Sequence, residues 1–238
     1  MRVRPLVILF ASAVAAAVCV RLGFWQLGRW QESRRLNARQ QSLLAAPPLG
    51  LWPTSVPPES AFGRTGKIMG RFDETRQFLL LARFHAGEPG VEIVTPLVDS
   101  GPAVLVDRGW VGAADGATAT PPSVYPDSGR HAVTGVIEHL GRGVPRSAMR
   151  PVPKESRLFA TESLDWDSVS ARLPYPAATW MLRQLPVPGV PTMPIRQAPE
   201  WHNESMHLGY TIQWFAIALI LLIGGWALAR ARGQGSAR

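Results

Sequence analysis

The stretch LGYTIQWFAIALILLIGGWALA, residues 208–229, decides the fold of this chain. It runs for 22 residues without a formal charge and is rich in Leu, Ile and Ala. At about 1.5 Å rise per residue, such a helix covers the roughly 30 Å hydrocarbon core of a bilayer with some tilt to spare. Tyr210 and Trp214 stand near its start, and Trp226 precedes Arg230 and Arg232 at its end. That is the aromatic belt and basic anchor of a helix meeting two membrane interfaces. A second apolar run, residues 5–20, lies at the other end of the chain. It reaches spanning length if Arg21 snorkels and residues 22–27 complete the helix.

The charge distribution agrees. The net charge is +8, yet all 17 acids fall between Gln31 and His207. With 16 Arg and two Lys, that span is nearly neutral. The other positive charges are Arg2, Arg4, Arg21, Arg29, Arg230, Arg232 and Arg238, which flank the apolar runs. A nucleic-acid binder would instead concentrate its basic residues on a folded face. The charge therefore points to a lipid bilayer and not to nucleic acid.

The first run also has features of a cleaved signal peptide: Arg2 and Arg4, a short apolar core, and small residues such as Ala11, Ser12 and Ala13. No polar, helix-breaking segment follows, however; the apolar character continues into Phe24, Trp25 and Leu27, so the reading is a retained helix. Arg230 and Arg232 place the C-terminus in the cytoplasm, and Arg2 and Arg4 agree for the N-terminus. Arg21, Arg29, Arg34, Arg35 and Arg39 argue the other way. Long loops translocate largely regardless of charge, so the expected topology is both termini cytoplasmic and the middle extracytoplasmic.

Residues 30–44 read as a short helix leaving the membrane, and Pro47, Pro48, Pro53, Pro57 and Pro58 as a non-helical linker. Short β-like runs follow at 67–72, 77–82, 92–97, 103–111 and 132–138, between Gly, Pro and Asp turns. Pro121, Pro122 and Pro126 mark a loop. Residues 164–173 read as a short helix with Ser163 as N-cap, and 178–185 as a last strand. The expected organisation is a membrane helix at 5–27, a juxtamembrane helix and linker at 28–62, and a β-rich extracytoplasmic domain at 63–185. A Pro-rich return at 186–207, a membrane helix at 208–229 and a basic tail at 230–238 complete it. The fold class is thus a membrane protein whose two transmembrane α-helices enclose a β-rich domain, α+β and mainly antiparallel. Lone Cys19 excludes a disulfide framework within the chain and a paired-cysteine redox motif.

Catalytic patterns are missing: there is no G-x-S-x-G elbow, H-E-x-x-H helix or P-loop. Asp107 and Arg108, beside Gly109 and Trp110, could anchor an anion. The stronger reading is a turn closed by a local ion pair and backbone hydrogen bonds. His85, His131 and His139 are isolated from other ligand types and read as surface or turn residues. His202 and His207 are five residues apart, the wrong spacing for a zinc pair on one helical face. His207 alone, at the membrane boundary, could ligate a haem iron among Trp25, Trp30, Trp201, Tyr210 and Trp214. On residue physics alone, ordinary interfacial His and Trp remain the stronger reading.

Three separated segments shift that balance. LGFWQLGR at 22–29 is similar to an L-G-x-W-Q-x-x-R pattern, and VEIVTPL at 91–97 with VLVDRGWV at 104–111 looks like paired core strands ending in V-D-R-G-W-V. HLGYTIQWF at 207–215 fits H-x-x-Y-x-x-Q-W-F. Together, in this order and within a two-helix topology, they resemble the Surfeit-locus-one family of cytochrome c oxidase assembly factors. The Pro-rich return and the loop at 117–126 match no motif of that family.

The resemblance implies a non-enzymatic role in a respiratory chain: helping haem a enter subunit I of an aa3-type oxidase, or stabilising that subunit while haem arrives. It implies a bacterial cell-membrane protein that partners cytochrome c oxidase subunit I and a haem a synthesis enzyme. The motif position of the haem-binding His is His207, the implied axial ligand of transient haem a. Tyr210 and Trp214 would be pocket walls, and Trp25, Gln26 and Arg29 would lie at the same depth on the partner helix. Arg29 could pair with a propionate through the guanidinium–carboxylate fork. The alternative is a haem-independent membrane chaperone or scaffold for oxidase subunits.

Overall fold

A computed structural model describes residues 5–51, 56–115, 129–141, 149–152 and 155–234 of the chain. The loop expected at 117–126 lies outside the described residues. The chain forms two units, one made of Met1–Gln41 with Glu200–Arg238, the other of Ser42–Pro199.

The first unit is a pair of packed helices. Helix α1 spans Pro5–Ala45 and joins in one continuous run what the sequence suggests as two segments. Residues 28–45 contain one glycine and no proline, so nothing breaks the hydrogen-bond ladder until Pro47. A second long helix, Glu204–Gln234, begins at Asn203, whose Oδ1 accepts the Met206 N–H at 3.0 Å. This side-chain oxygen satisfies one of the orphan donors of the first turn. Both helices are long and apolar enough to cross a membrane. They meet through small residues: Ala16, Cys19 and Ala218 are buried together, and Gly23 lies against Phe215, whose ring a Cβ would approach to 2.8 Å. Close backbone approach is the usual way helices pair where lipid removes the hydrophobic drive.

Among the described residues, the second unit is built on a mixed sheet of nine strands. In chain order they are β1 Leu49–Gly50, β2 Thr65–Phe72, β3 Gln77–His85, β4 Glu88–Val98, β5 Ala103–Gly112, β6 His131–His139, β7 Arg150–Val152, β8 Glu155–Thr161 and β9 Ala177–Gln184. The sheet order is β1-β2-β6-β9-β5-β4-β3-β8-β7, and β2 also pairs with β4. That last pairing closes β2, β6, β9, β5 and β4 into a five-stranded ring, with β3, β8 and β7 continuing outward from β4. Most pairings are antiparallel; β1–β2, β3–β8 and β5–β9 are parallel. The class expected from sequence holds, and barrel closure is the addition.

All five ring strands contribute to one buried cluster, with Ile68, Leu97, Val104, Ile137 and Leu182 among its members. Side chains alternate across a strand, so Val104 and Val106 point into this cluster while Leu105 joins a second one outside the ring. There it meets Phe78, Val94, Met181 and Val169, the last from the short helix α2, Trp166–Ser170. The second long helix is therefore α3. Burial on both faces explains why β4 and β5 read as nearly continuous apolar runs.

Local details depart from expectation or refine it, and α2 is shorter than the helix expected at 164–173. The N-cap of α2 is Asp165, which accepts the Ser168 N–H at 2.8 Å, because Ser163 is held in a turn with Thr161. Strand β1 forms inside the Pro-rich linker, and β7 and β8 form where no strand pattern is visible. Between β3 and β4, Ala86 and Gly87 have φ of 51° and 86°, the double positive φ of a type I′ hairpin.

Candidate functional site

The six residues singled out by the sequence, Trp25, Gln26, Arg29, His207, Tyr210 and Trp214, all lie on the helix pair. Gln26 and His207 meet directly: His207 Nδ1 is 2.9 Å from Gln26 Oε1, across 181 residues of sequence. Both side chains are half-buried. Gln26 Oε1 is an acceptor, so the contact is a hydrogen bond in the tautomer that carries its proton on Nδ1. Nε2 has no partner among the described residues. Thr211 Oγ1 donates to the His207 carbonyl at 2.9 Å, one turn along α3.

The other four take different positions. Trp214 packs against the seam of Ala16, Cys19 and Ala218. Trp25 and Tyr210 are 58% and 45% exposed, so their rings face whatever surrounds the helix pair. Arg29 Nη1 donates to Glu32 Oε2 at 2.6 Å in an exposed i,i+3 pair. Binding an acid there requires that pair to open, a small cost for exposed charges. The structure thus joins Gln26 to His207, places Trp214 in the seam and leaves the rest on the surface.

Beyond His207 the two helices stay linked by polar contacts. Asn37 donates to Glu204 Oε1 at 2.7 Å and to the His202 carbonyl at 3.0 Å, and its Oδ1 accepts the His202 N–H at 2.9 Å. Gln40 donates to the Glu200 carbonyl at 3.2 Å. A shallow cavity of about 310 Å³ is lined by Gln31, Arg34, Arg35 and Ala38. Their i, i+3, i+4, i+7 spacing puts them on one face of α1. Arg34 also lies 4.9 Å above the Trp30 ring and 3.9 Å from Glu204. The sequence marked Arg34 and Arg35 only as charges bearing on topology; their shared face was the missed signal.

Asp107 and Arg108 do not close a turn. They lie inside β5, where Arg108 and Gly109 together oppose the single residue Ile93 of β4, forming a bulge. Asp107 is 3% exposed and accepts the Gly109 N–H at 3.0 Å. Its carboxyl is pushed up to about 7, first by burial and then by Glu92, with Arg183 opposing. Arg183 in turn pairs with Glu138 at 2.9 Å, and Glu92 with Arg83 at 2.9 Å. Arg108, with no exposure at all, sits 4.5 Å over the Phe72 ring, its Nη1 3.6 Å from Glu74. The two residues serve different sides of the strand, which argues for a structural role.

Among the described residues, no three His, Cys, Asp or Glu side chains group to hold a metal ion. His139 is stacked on Phe62 at 3.5 Å and lies 3.4 Å from Glu59. His85 rests beside Trp110.

A family model describing the SURF1 family matches residues 13–219, from inside α1 to the middle of α3. The chain belongs to the SURF1 family. The match takes in most of α1, the first half of α3, the whole ring and both residues of the Gln26–His207 contact. SURF1 proteins are known as cytochrome oxidase assembly factors and are not enzymes. The chain is also similar to a SURF1-like protein of Rickettsia felis, 29% identical over 100 residues. That alignment covers 41% of this chain and 43% of the relative's length.

Proposed function

We propose that this protein assists assembly of an aa3-type cytochrome c oxidase in a bacterial cell membrane, holding haem a transiently on its way into subunit I. The observation that carries this reading is the Gln26–His207 pair at 2.9 Å, where two membrane-length helices meet. The donor set fits a haem cargo: one imidazole with Nε2 open, exposed aromatic rings on both helices, and guanidinium groups able to meet propionates. Tyr210 and Trp214 would flank the macrocycle from α3, and Trp25 and Arg29 from α1. A single imidazole ligand on a partly exposed helix pair suits a cargo that must leave again.

In this reading residues 5–27 and 208–229 cross the bilayer and 230–238 form a cytoplasmic tail. Both termini are cytoplasmic, and the domain of residues 63–185 lies outside. Subunit I and a haem a synthesis enzyme are the partners. The protein itself performs no reaction; it supplies a place where an apolar, anionic pigment can rest at the membrane surface.

The test is purification after co-expression with haem a synthesis enzymes. The wild-type protein is expected to carry haem a visible in its optical spectrum, and His207→Ala to lose it. Equal haem content in the two proteins would remove His207 as the ligand. One observation favours a second reading, a haem-independent scaffold: Arg29 already pairs with Glu32, and Trp25 and Tyr210 are exposed. A colourless protein that still co-isolates with subunit I would favour it.

A further inference from the structure

We propose that Gln26 is a positioning residue, fixing the imidazole of His207 in the Nδ1–H tautomer so that Nε2 is the nitrogen offered to an incoming iron. This rests on the reading of His207 as a haem ligand, but it makes a claim about the cargo-free protein that can be tested separately.

The geometry carries the argument. The 2.9 Å contact sets Gln26 Oε1, the acceptor atom of the carboxamide, against Nδ1, an arrangement that suits a proton on Nδ1. In a neutral imidazole the ring nitrogen that carries the proton is set by the hydrogen bond the ring makes. Both partners are half-buried and come from different helices, so water competes poorly and the ring is tied to α1 as well as α3. A ring held only by its own helix would be free to rotate and to exchange tautomers. Histidines that bind metals commonly donate their second N–H to an oxygen, which orients the ring and raises its basicity. Here that partner is present before any cargo arrives.

A plain interhelical tether predicts something else. It would require only that the two side chains attract one another, in either tautomer, and its loss would loosen the helices without changing the chemistry of the ring. The two accounts separate on the protonation pattern of one side chain.

The experiment uses the full chain in lipid nanodiscs at about pH 8, with 15N-labelled histidine and long-range 15N–1H correlation. The His207 signal is assigned by its disappearance in His207→Ala. The wild type and Gln26→Glu, which keeps an acceptor oxygen, are expected to show the Nδ1–H tautomer. Gln26→Met, similar in size and without that acceptor, is expected to move His207 to the Nε2–H form. Optical titration with haem a is expected to show affinity about 10- to 100-fold weaker in Gln26→Met and retained in Gln26→Glu. In Gln26→Glu the bound haem should also have a more negative midpoint potential, because a carboxylate partner makes the imidazole a stronger donor.

An Nε2–H tautomer in the wild type, or one unchanged by Gln26→Met, overturns the proposal; the first measurement needs no variant that might fail to fold. Loss of haem in His207→Ala with undiminished affinity in Gln26→Met sinks the positioning role and leaves the ligand standing. Haem binding unaffected by His207→Ala sinks the ligand reading, whatever the tautomer.

Discussion

Gly109→Ala tests whether the β5 bulge is an enforced feature of the second unit. Gly109 has φ of +116°, a conformation that side chains rarely adopt. A Cβ built there would lie 2.4 Å from the Ile195 carbonyl oxygen and 2.7 Å from its carbon. Both atoms are backbone, so no rotamer change relieves the clash. The cost has two parts. A non-glycine residue in so sparsely populated a region costs about 1–3 kcal/mol. Moving residue 195 away also breaks the reciprocal Trp110–Ile195 bridge, with N···O distances of 2.9 and 2.8 Å. Two such bonds contribute about 0.5–1.5 kcal/mol each. The sum is roughly 2–6 kcal/mol, a large share of a domain's usual margin. Gly112→Ala, three residues along the same strand, is the control, since its nearest side-chain atom would be 3.4 Å away and its φ is not positive. Denaturant unfolding of the full chain in detergent, followed by tryptophan fluorescence, should show a clear drop in midpoint for Gly109→Ala and little change for Gly112→Ala. A Gly109→Ala protein within about 0.5 kcal/mol of wild type would refute the reasoning.

Two further predictions concern charge. The folded Asp107 carboxyl is raised from 3.8 to about 7, chiefly by burial, so between those values the folded chain holds a proton that the unfolded chain has released. Stability is therefore fully present at about pH 4 and falls as pH rises through about 7. Asp107→Asn, which keeps an acceptor for the Gly109 N–H, should flatten that slope. At about pH 8 it should be the more stable protein, by no more than about 4 kcal/mol; a parallel pH profile would contradict this. The Tyr175 hydroxyl donates to Asp73 Oδ2 at 2.5 Å. Burial alone would raise Asp73, but hydrogen bonds from Thr75 and Tyr175 outweigh it and hold the carboxyl below its usual range. A depressed carboxylate stabilises above its unfolded value and loses that contribution as pH falls through the folded one. Tyr175→Phe should therefore cost about 1.5–3 kcal/mol at neutral pH and less in acid, read from unfolding midpoints at both.

The parts of the fold written in local periodicity were legible. The run at 208–229 is helical and apolar, and six of the seven longer strands among the described residues show as apolar runs between turns. The eighth strand carries Ser156 and Arg157 in its first half and follows two prolines, at 151 and 153, which hide it from any pattern of alternation. Of its two partners, β3 is parallel and lies some eighty residues earlier in the chain, and the antiparallel β7 is three residues long with a proline at its centre, so no alternating hairpin pattern marks it. Ring closure rests on pairings such as Phe72 with Leu97 and Val106 with Leu182, which no local rule reveals. Asp107 looked like a turn residue because a bulge and a turn share the same glycine requirement. At the site, motif spacing named His207 and Gln26 separately. Their hydrogen bond is a tertiary fact, set by how Gly23 lets α1 approach Phe215 of α3.

The ring has one further consequence, for the order of synthesis. Strand β9 lies between β5 and β6 and joins two groups of strands, whose only other junction among the described residues is two residue pairs between β2 and β4. It is also the last strand to leave the ribosome, roughly seventy residues after β5 is complete. At about 5–20 residues per second, the half-made barrel waits several seconds with its interior valines and leucines uncovered. Growing chains that end before Ala177 should thus be the protease-sensitive, aggregation-prone species of this protein. Nascent-chain quality control would meet them before the keystone strand arrives.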